Sequence, residues 1–194
     1  RQNTDQYVKK RIAEGYPSRS AYKLREINRR DRVIGPGMHL IDLGASPGGW
    51  SQVASELVGR KGSLVAVDIL AMKPVPGVTF VAGDCSDSHV KSAVRAALGG
   101  RPVSLVMSDM APNLSGNRVV DQAKAMELAE GVLEFACGVL DEGGGLLIKL
   151  FQGEGFDDFI ASVRSGFGSV RVIKPPASRP ESREMYLLAR TYGM

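Results

Sequence analysis

What most constrains this chain is an alternation of apolar, β-rich runs with segments of helical period. The runs are Met38 to Leu43, Leu64 to Ile69, Val78 to Val81, Val103 to Met107, Leu146 to Phe151, Val170 to Ile173 and Met185 to Ala189. Most are apolar on both faces, as strands covered by helices on each side of a sheet must be. Between them, Trp50, Val53, Ala54, Leu57 and Val58 follow the i, i+3, i+4 spacing of a helix with one apolar face, and Phe156, Phe159, Ile160 and Val163 repeat it in shorter form. A longer helix, near Val119 to Leu140, sets Met126, Ala129, Leu133, Ala136 and Leu140 on one side and is expected to stop at Gly143-Gly144-Gly145. The alternation implies a doubly wound, Rossmann-like α/β sheet, mainly parallel. Only the turn-rich stretch Pro175 to Arg183 separates the last two runs. That leaves no room for a crossover helix, so these strands should pair antiparallel.

The chain has 194 residues, which suits one domain with one principal site. Hydrophobic residues at 43% and charged residues at 24% exclude a disordered chain. No apolar run reaches the roughly 18 residues of a membrane span, and the start does not read as a secretion signal, although beginning at Arg1 leaves room for a preceding segment. Two cysteines, Cys85 and Cys137, are too few for a disulfide framework and offer no zinc spacing, so the expectation is a cytoplasmic protein without a structural metal. The oligomeric state is left open.

Charge is uneven. Residues 1–32 carry ten Lys or Arg against four acidic residues, a balance of +6 in a chain whose net charge is +4. One reading is a solvated basic surface. The other is a docking surface for a polyanion such as RNA, formed by Lys9, Lys10, Arg11, Arg19 and Lys23. The chain thus divides into a basic N-terminal segment, 1–32, and the body of the domain, 33–194.

In such a sheet, ligands bind beyond the carboxyl ends of the strands. The first strand ends in Asp42-Leu43-Gly44-Ala45-Ser46-Pro47-Gly48-Gly49-Trp50, where Ser46 is placed to cap the next helix and Pro47 to occupy its first turn. The second ends at Asp68, which can accept hydrogen bonds from ribose hydroxyls, and the third runs into Gly83-Asp84, whose carboxylate can meet an adenine amino group. An acidic residue about 20 positions past a glycine-rich turn also marks dinucleotide enzymes. Here the second glycine of G-x-G-x-x-G, the one that admits pyrophosphate, is replaced by Ser46. A nicotinamide cofactor is therefore disfavoured, whereas S-adenosylmethionine, which has no phosphate, needs no such opening.

Polar residues stand at other strand ends. Lys149 interrupts the apolar run Leu146 to Phe151, where an unpaired ammonium would be costly to bury, so it must snorkel to solvent or find a partner. Asp109 follows the run ending at Met107, either as a turn carboxylate or as a site residue. Glu184 opens the last run, and Lys23 lies one helical turn beyond Arg19.

Taken together, the segments Ser18 to Leu24, Asp42 to Trp50, Ser108 to Asn113, Lys149 to Gly155 and Ser182 to Tyr186 resemble the FtsJ-type ribose 2′-O-methyltransferases, and the resemblance covers nearly the whole chain. It implies a catalytic set of Lys23, Asp109, Lys149 and Glu184. The cofactor contacts it implies are Gly48, Trp50, Asp68, Asp84 and Asp109, with S-adenosylmethionine as methyl donor. It further implies a uridine of large-subunit ribosomal RNA as acceptor and methylation of the ribose oxygen, not of a base. Lys149 would act as general base if neutral, or stabilise the developing alkoxide if charged, and the base role is preferred. A tRNA ribose methyltransferase and a non-catalytic RNA-binding assembly factor are the alternatives, the second opposed by the intact set of four.

Overall fold

A computed structural model describes residues 2–178 and 182–193. Among these residues, seven strands form one sheet: β1 (His39–Leu43), β2 (Ser63–Asp68), β3 (Val78–Ala82), β4 (Leu105–Ser108), β5 (Gly145–Phe151), β6 (Phe167–Ile173) and β7 (Glu184–Tyr192). Their order is β3-β2-β1-β4-β5-β7-β6. The first five positions are parallel, and β7 lies antiparallel between β5 and β6. The expected antiparallel pairing of the last two strands is therefore present, although residues 179–181 of the connecting stretch lie outside the described residues.

Among the described residues, six α-helices, α1 (Gln2–Glu14), α2 (Ser20–Asp31), α3 (Gly49–Val58), α4 (Ser88–Leu98), α5 (Arg118–Val139) and α6 (Phe156–Gly166), accompany the sheet. Alternation along the strands sends Ile41, Val65, Val106, Ile148 and Leu187 to one face, where they pack with Val94, Phe135 and Phe159 of α4, α5 and α6. Leu40, Leu64, Met107, Leu147 and Leu188 go to the other face and meet Leu24, Ile27 and Val53 of α2 and α3. The outermost strands depart from the two-sided apolar reading. Thr79, Phe80 and Ala82 of β3 and Ser169, Arg171 and Val172 of β6 are exposed, because an edge strand is only partly covered by helices.

Two boundary expectations are corrected. The long helix ends at Val139, and Leu140 is already extended; the glycines form the turn beyond it, with Gly143 at φ 80° and Gly145 opening β5. Ser46 does not cap α3 and Pro47 is not in its first turn. That helix begins at Gly49 behind a left-handed Gly48, while the Ser46 amide is drawn to the Asp68 carboxylate at 2.8 Å. Among the described residues no helix is long and apolar enough to cross a membrane.

Candidate active site

From β1 the chain winds outward to β2 and β3, and from β4 in the opposite direction to β5. The crevice beyond β1 and β4 is the switch point of the sheet, where the loops diverge and leave room for a ligand. Here that space is about 710 Å³, within the ordinary range for small-molecule sites. Gly44, Asp68, Gly83, Asp84, Asp109 and Met110 line it.

Close packing excludes a side chain at two points of the crevice wall. Gly44 has φ 71°, and a Cβ there would stand 1.9 Å from Met110 Cγ; at Gly83 a Cβ would stand 2.5 Å from Val90 Cγ2. Asp68 fastens the first loop to the second strand by accepting from the Ser46 and Leu70 amides, each at 2.8 Å. Asp84 accepts from the Ser86 amide at 2.9 Å, and hydrogen bonding from Ser86 holds its carboxyl below the usual range.

On the α2 side of the crevice, strand register assembles a second cluster. Lys149 of β5 pairs with Tyr186 of β7, and Phe151 with Glu184. Alternation then puts Lys149, Tyr186 and Glu184 on the face covered by α2. That helix supplies Lys23, whose ammonium donates to Glu184 Oε1. Lys149 Nζ donates to the Asp109 carbonyl at 2.5 Å and lies 3.3 Å from Asp109 Oδ1 and 3.9 Å from Glu184 Oε1. The Tyr186 hydroxyl donates toward Asp109 Oδ1 at 2.5 Å and Glu184 Oε1 at 3.0 Å. Burial alone would push the Glu184 carboxyl up, but the Lys23 hydrogen bond and charge, then Lys149 and Tyr186, outweigh it and leave it below its ordinary value. Burial, reinforced by the charges of Asp109 and Glu184, raises the Tyr186 phenol well above its own, so it remains a donor.

With this geometry in view, the family profile described as FtsJ-like methyltransferase matches residues 16–192. The chain belongs to the FtsJ-like methyltransferase family. A relative from Alkalilimnicola ehrlichii named ribosomal RNA large subunit methyltransferase E is 53% identical over 192 residues, 99% of this chain and 92% of the relative. A Pseudomonas aeruginosa protein of the same name is 52% identical over 188 residues, 97% and 91% of the two chains. Among solved structures, a Plasmodium falciparum protein assigned as a ribosomal RNA methyltransferase superposes with a TM-score of 0.82 at 26% identity, covering 92% of this chain and 99% of that one.

In this methyltransferase, Lys23, Asp109, Lys149 and Glu184 come together, and Asp68, Asp84 and Asp109 share the crevice. Two sequence-derived contacts fall elsewhere. Gly48 sits at the start of α3, with Val75 and Met72 nearest to the position of a Cβ. The Trp50 ring is buried in the core, its Nε1 donating to the Ser20 carbonyl at 3.0 Å and its face 5.7 Å from the Tyr186 ring. Trp50 thus ties α3 to the helix that carries Lys23, and only its backbone is left to meet a ligand. Of the proposed RNA contacts, Lys9 and Lys10 are exposed, with Lys10 over the Tyr22 ring at 5.3 Å. Arg11 donates to the Pro17 carbonyl at 2.9 Å, and Arg19 to that of Ala177 at 3.4 Å.

Sequence reasoning missed Tyr186 and Asp42. Tyr186 lies inside a quoted motif, but no spacing rule links a strand tyrosine to an aspartate 77 residues earlier. Asp42, 1% exposed, accepts from Ser51 Oγ at 2.6 Å beneath the glycine loop. Burial pushes its carboxyl up to about 7 against the opposing Ser51 hydrogen bond, with the Asp109 and Asp68 charges adding to the rise. A carboxyl raised on folding releases its proton later in the native than in the unfolded state. Its contribution to stability is therefore fully present below about pH 4 and is lost as pH rises toward about 7. Asp42→Asn should flatten this decline by a few kcal/mol relative to the parent protein, read by urea unfolding at several pH values.

Proposed function

We propose that this methyltransferase moves a methyl group from S-adenosylmethionine to a ribose 2′-hydroxyl, and that its acceptor is a uridine of large-subunit ribosomal RNA. The observation that carries the reading is the position of Asp109. It lines the nucleoside-sized crevice on one side and meets Lys149 and Tyr186 on the other, so one residue faces both a donor and an acceptor site.

The crevice suits the proposed donor. Asp68 and Asp84 offer carboxylates to ribose hydroxyls and an amino group, and Gly44 and Gly83 bring loop backbone to its wall. When bound, S-adenosylmethionine supplies an electrophilic methyl on a sulfonium.

What the chain must supply is alignment and a place for the hydroxyl proton. Alignment alone is worth about 7 to 11 kcal/mol for well-oriented reactants. Lys149 Nζ acts as general base and receives the hydroxyl proton as the oxygen takes the methyl group, whose bond to sulfur would break with the electron pair kept by the departing thioether. The carboxylates of Asp109 and Glu184, 3.3 and 3.9 Å away, stabilise the resulting ammonium. Lys23 neutralises Glu184, and the Tyr186 hydroxyl keeps both carboxylates in place.

A net +6 across residues 1–32 supports an RNA acceptor, with Lys9, Lys10 and Arg11 on α1 and Arg19 and Lys23 leading to the site. The names carried by the Alkalilimnicola and Pseudomonas relatives support the large ribosomal subunit in particular. Incubation with labelled S-adenosylmethionine and, separately, large subunits, small subunits and tRNA tests the assignment. Label should enter large-subunit RNA; label confined to tRNA, or none anywhere, would refute the proposed substrate.

A further inference from the structure

Helix α2 leaves the active site at Lys23 and runs eight residues, about 12 Å, to Asp31. At its far end Arg29, Arg30 and Arg32 are exposed, whereas the Asp31 side chain is only 2% exposed. Three guanidinium groups converge on this one residue. Arg30 Nε donates to Oδ2 at 2.8 Å, Arg171 Nη1 donates to Oδ1 at 2.9 Å, and Arg190 Nη2 donates to the backbone carbonyl.

Strand register explains why arginines so distant in sequence meet here. Arg171 of β6 pairs with Leu188 of β7, and Ile173 with Tyr186, so Arg171 and Arg190 project on the same sheet face as the active-site tyrosine. Between α2 and β6 lies an open groove of about 300 Å³ lined by Ile27, Arg29, Arg30, Ile173, Pro175 and Pro176. Glu26 also borders it, but its oxygens are occupied by the Tyr7 hydroxyl at 2.8 Å and the Ala177 amide at 2.7 Å.

One buried carboxylate needs one cation. Arg29, Arg30, Arg32, Arg171 and Arg190 around Asp31 leave an excess of positive charge beside a groove lined by Arg29 and Arg30, on the same helix that carries Lys23 one to two turns earlier. Guanidinium groups held by hydrogen bonds to a fixed carboxylate are preorganised, and their remaining N–H groups match phosphate oxygens.

We propose that this α2–β6 groove is the track for the phosphodiester backbone of the RNA strand leaving the acceptor nucleotide, with Arg29 and Arg30 in its wall and Arg171, which shares Asp31 with Arg30, beside it binding the phosphates. The proposal rests on the RNA acceptor argued above and adds the direction in which the strand runs. The competing account is that the arginines only pin α2 to β7.

The test is Arg29→Gln combined with Arg171→Gln, measured by anisotropy of a fluorescein-labelled single-stranded RNA over a range of salt. Affinity should fall about tenfold, and the dependence of log K on log salt should shrink by roughly 0.7 for each phosphate that is no longer neutralised. S-adenosylhomocysteine affinity and the single-turnover rate at saturating RNA should not change. Arg29→Gln alone, whose guanidinium is not among those bonded to Asp31, should show about half of the slope change and does not disturb β6. Unchanged affinity and salt slope in both folded variants would overturn the track. Failure of the parent protein to methylate any RNA is a separate result, because binding is read here without transfer.

Discussion

Lys149→Ala is expected to lower the single-turnover rate of methyl transfer by about 10²- to 10⁴-fold, the span associated with losing a positioned general base. Affinity for S-adenosylhomocysteine should stay within about twofold of the parent value, since the nucleoside crevice is assigned to other residues. The lysine side chain is 9% exposed and lies within 4 Å of two carboxylates, so truncation removes the proposed proton acceptor and leaves the two carboxylates without the amine between them. Lys149→Met, which keeps the aliphatic stem, separates that loss from simple loosening of β5 and should be as inactive. Glu184→Ala should cost less, because its oxygen orients Lys23 and Lys149 and water can partly replace it. A folded Lys149→Met protein with a near-normal rate would reduce Lys149 to a strand residue with a satisfied charge.

Asp109→Ala should damage both functions. Transfer should drop by a factor comparable to that for Lys149→Ala, and S-adenosylhomocysteine should bind at least about tenfold more weakly, as expected for loss of a charged hydrogen-bonding group. The residue closes β4 at the switch point, borders the crevice, and receives the Tyr186 hydroxyl at 2.5 Å. Without it, the hydroxyl keeps only Glu184, and Lys149 is deprived of its nearer carboxylate. Asp84→Ala, by contrast, should weaken cofactor binding and leave the rate at saturating cofactor nearly intact, since Asp84 stands on the β3 loop away from Lys149. Calorimetry alongside single-turnover kinetics distinguishes the two. Unaltered cofactor affinity in Asp109→Ala would confine that residue to the acceptor side.

Much of the fold was legible because periodicity reports which face of an element is buried. The strand runs, the apolar stripe of α3 and the acidic residues closing β2 and β3 all follow from that rule. Other features depend on atoms that meet only after folding. Nothing in the local sequence gives Lys23 a partner, yet it is paired with Glu184, 161 positions away, because β7 inserts between β5 and β6. Ser46 looks like a helix cap by local chemistry, but its hydroxyl turns to the Ala71 carbonyl across the loop and the helix starts only at Gly49. Trp50, assigned to the cofactor by motif, has its ring committed to joining α3 to α2. Arg171 and Arg190 belong to a stretch whose net charge is negative, and only the register of β6 and β7 brings them to the basic helix.

The central claim is that the methyl group goes to a ribose oxygen, and the most direct measurement is alkaline digestion of RNA from large subunits labelled by this enzyme with radioactive S-adenosylmethionine. A 2′-O-methyl group blocks attack of that oxygen on the neighbouring phosphate. Label is expected in an alkali-resistant dinucleotide whose 5′ residue is a uridine. Label recovered in a base-methylated mononucleotide would contradict the claim.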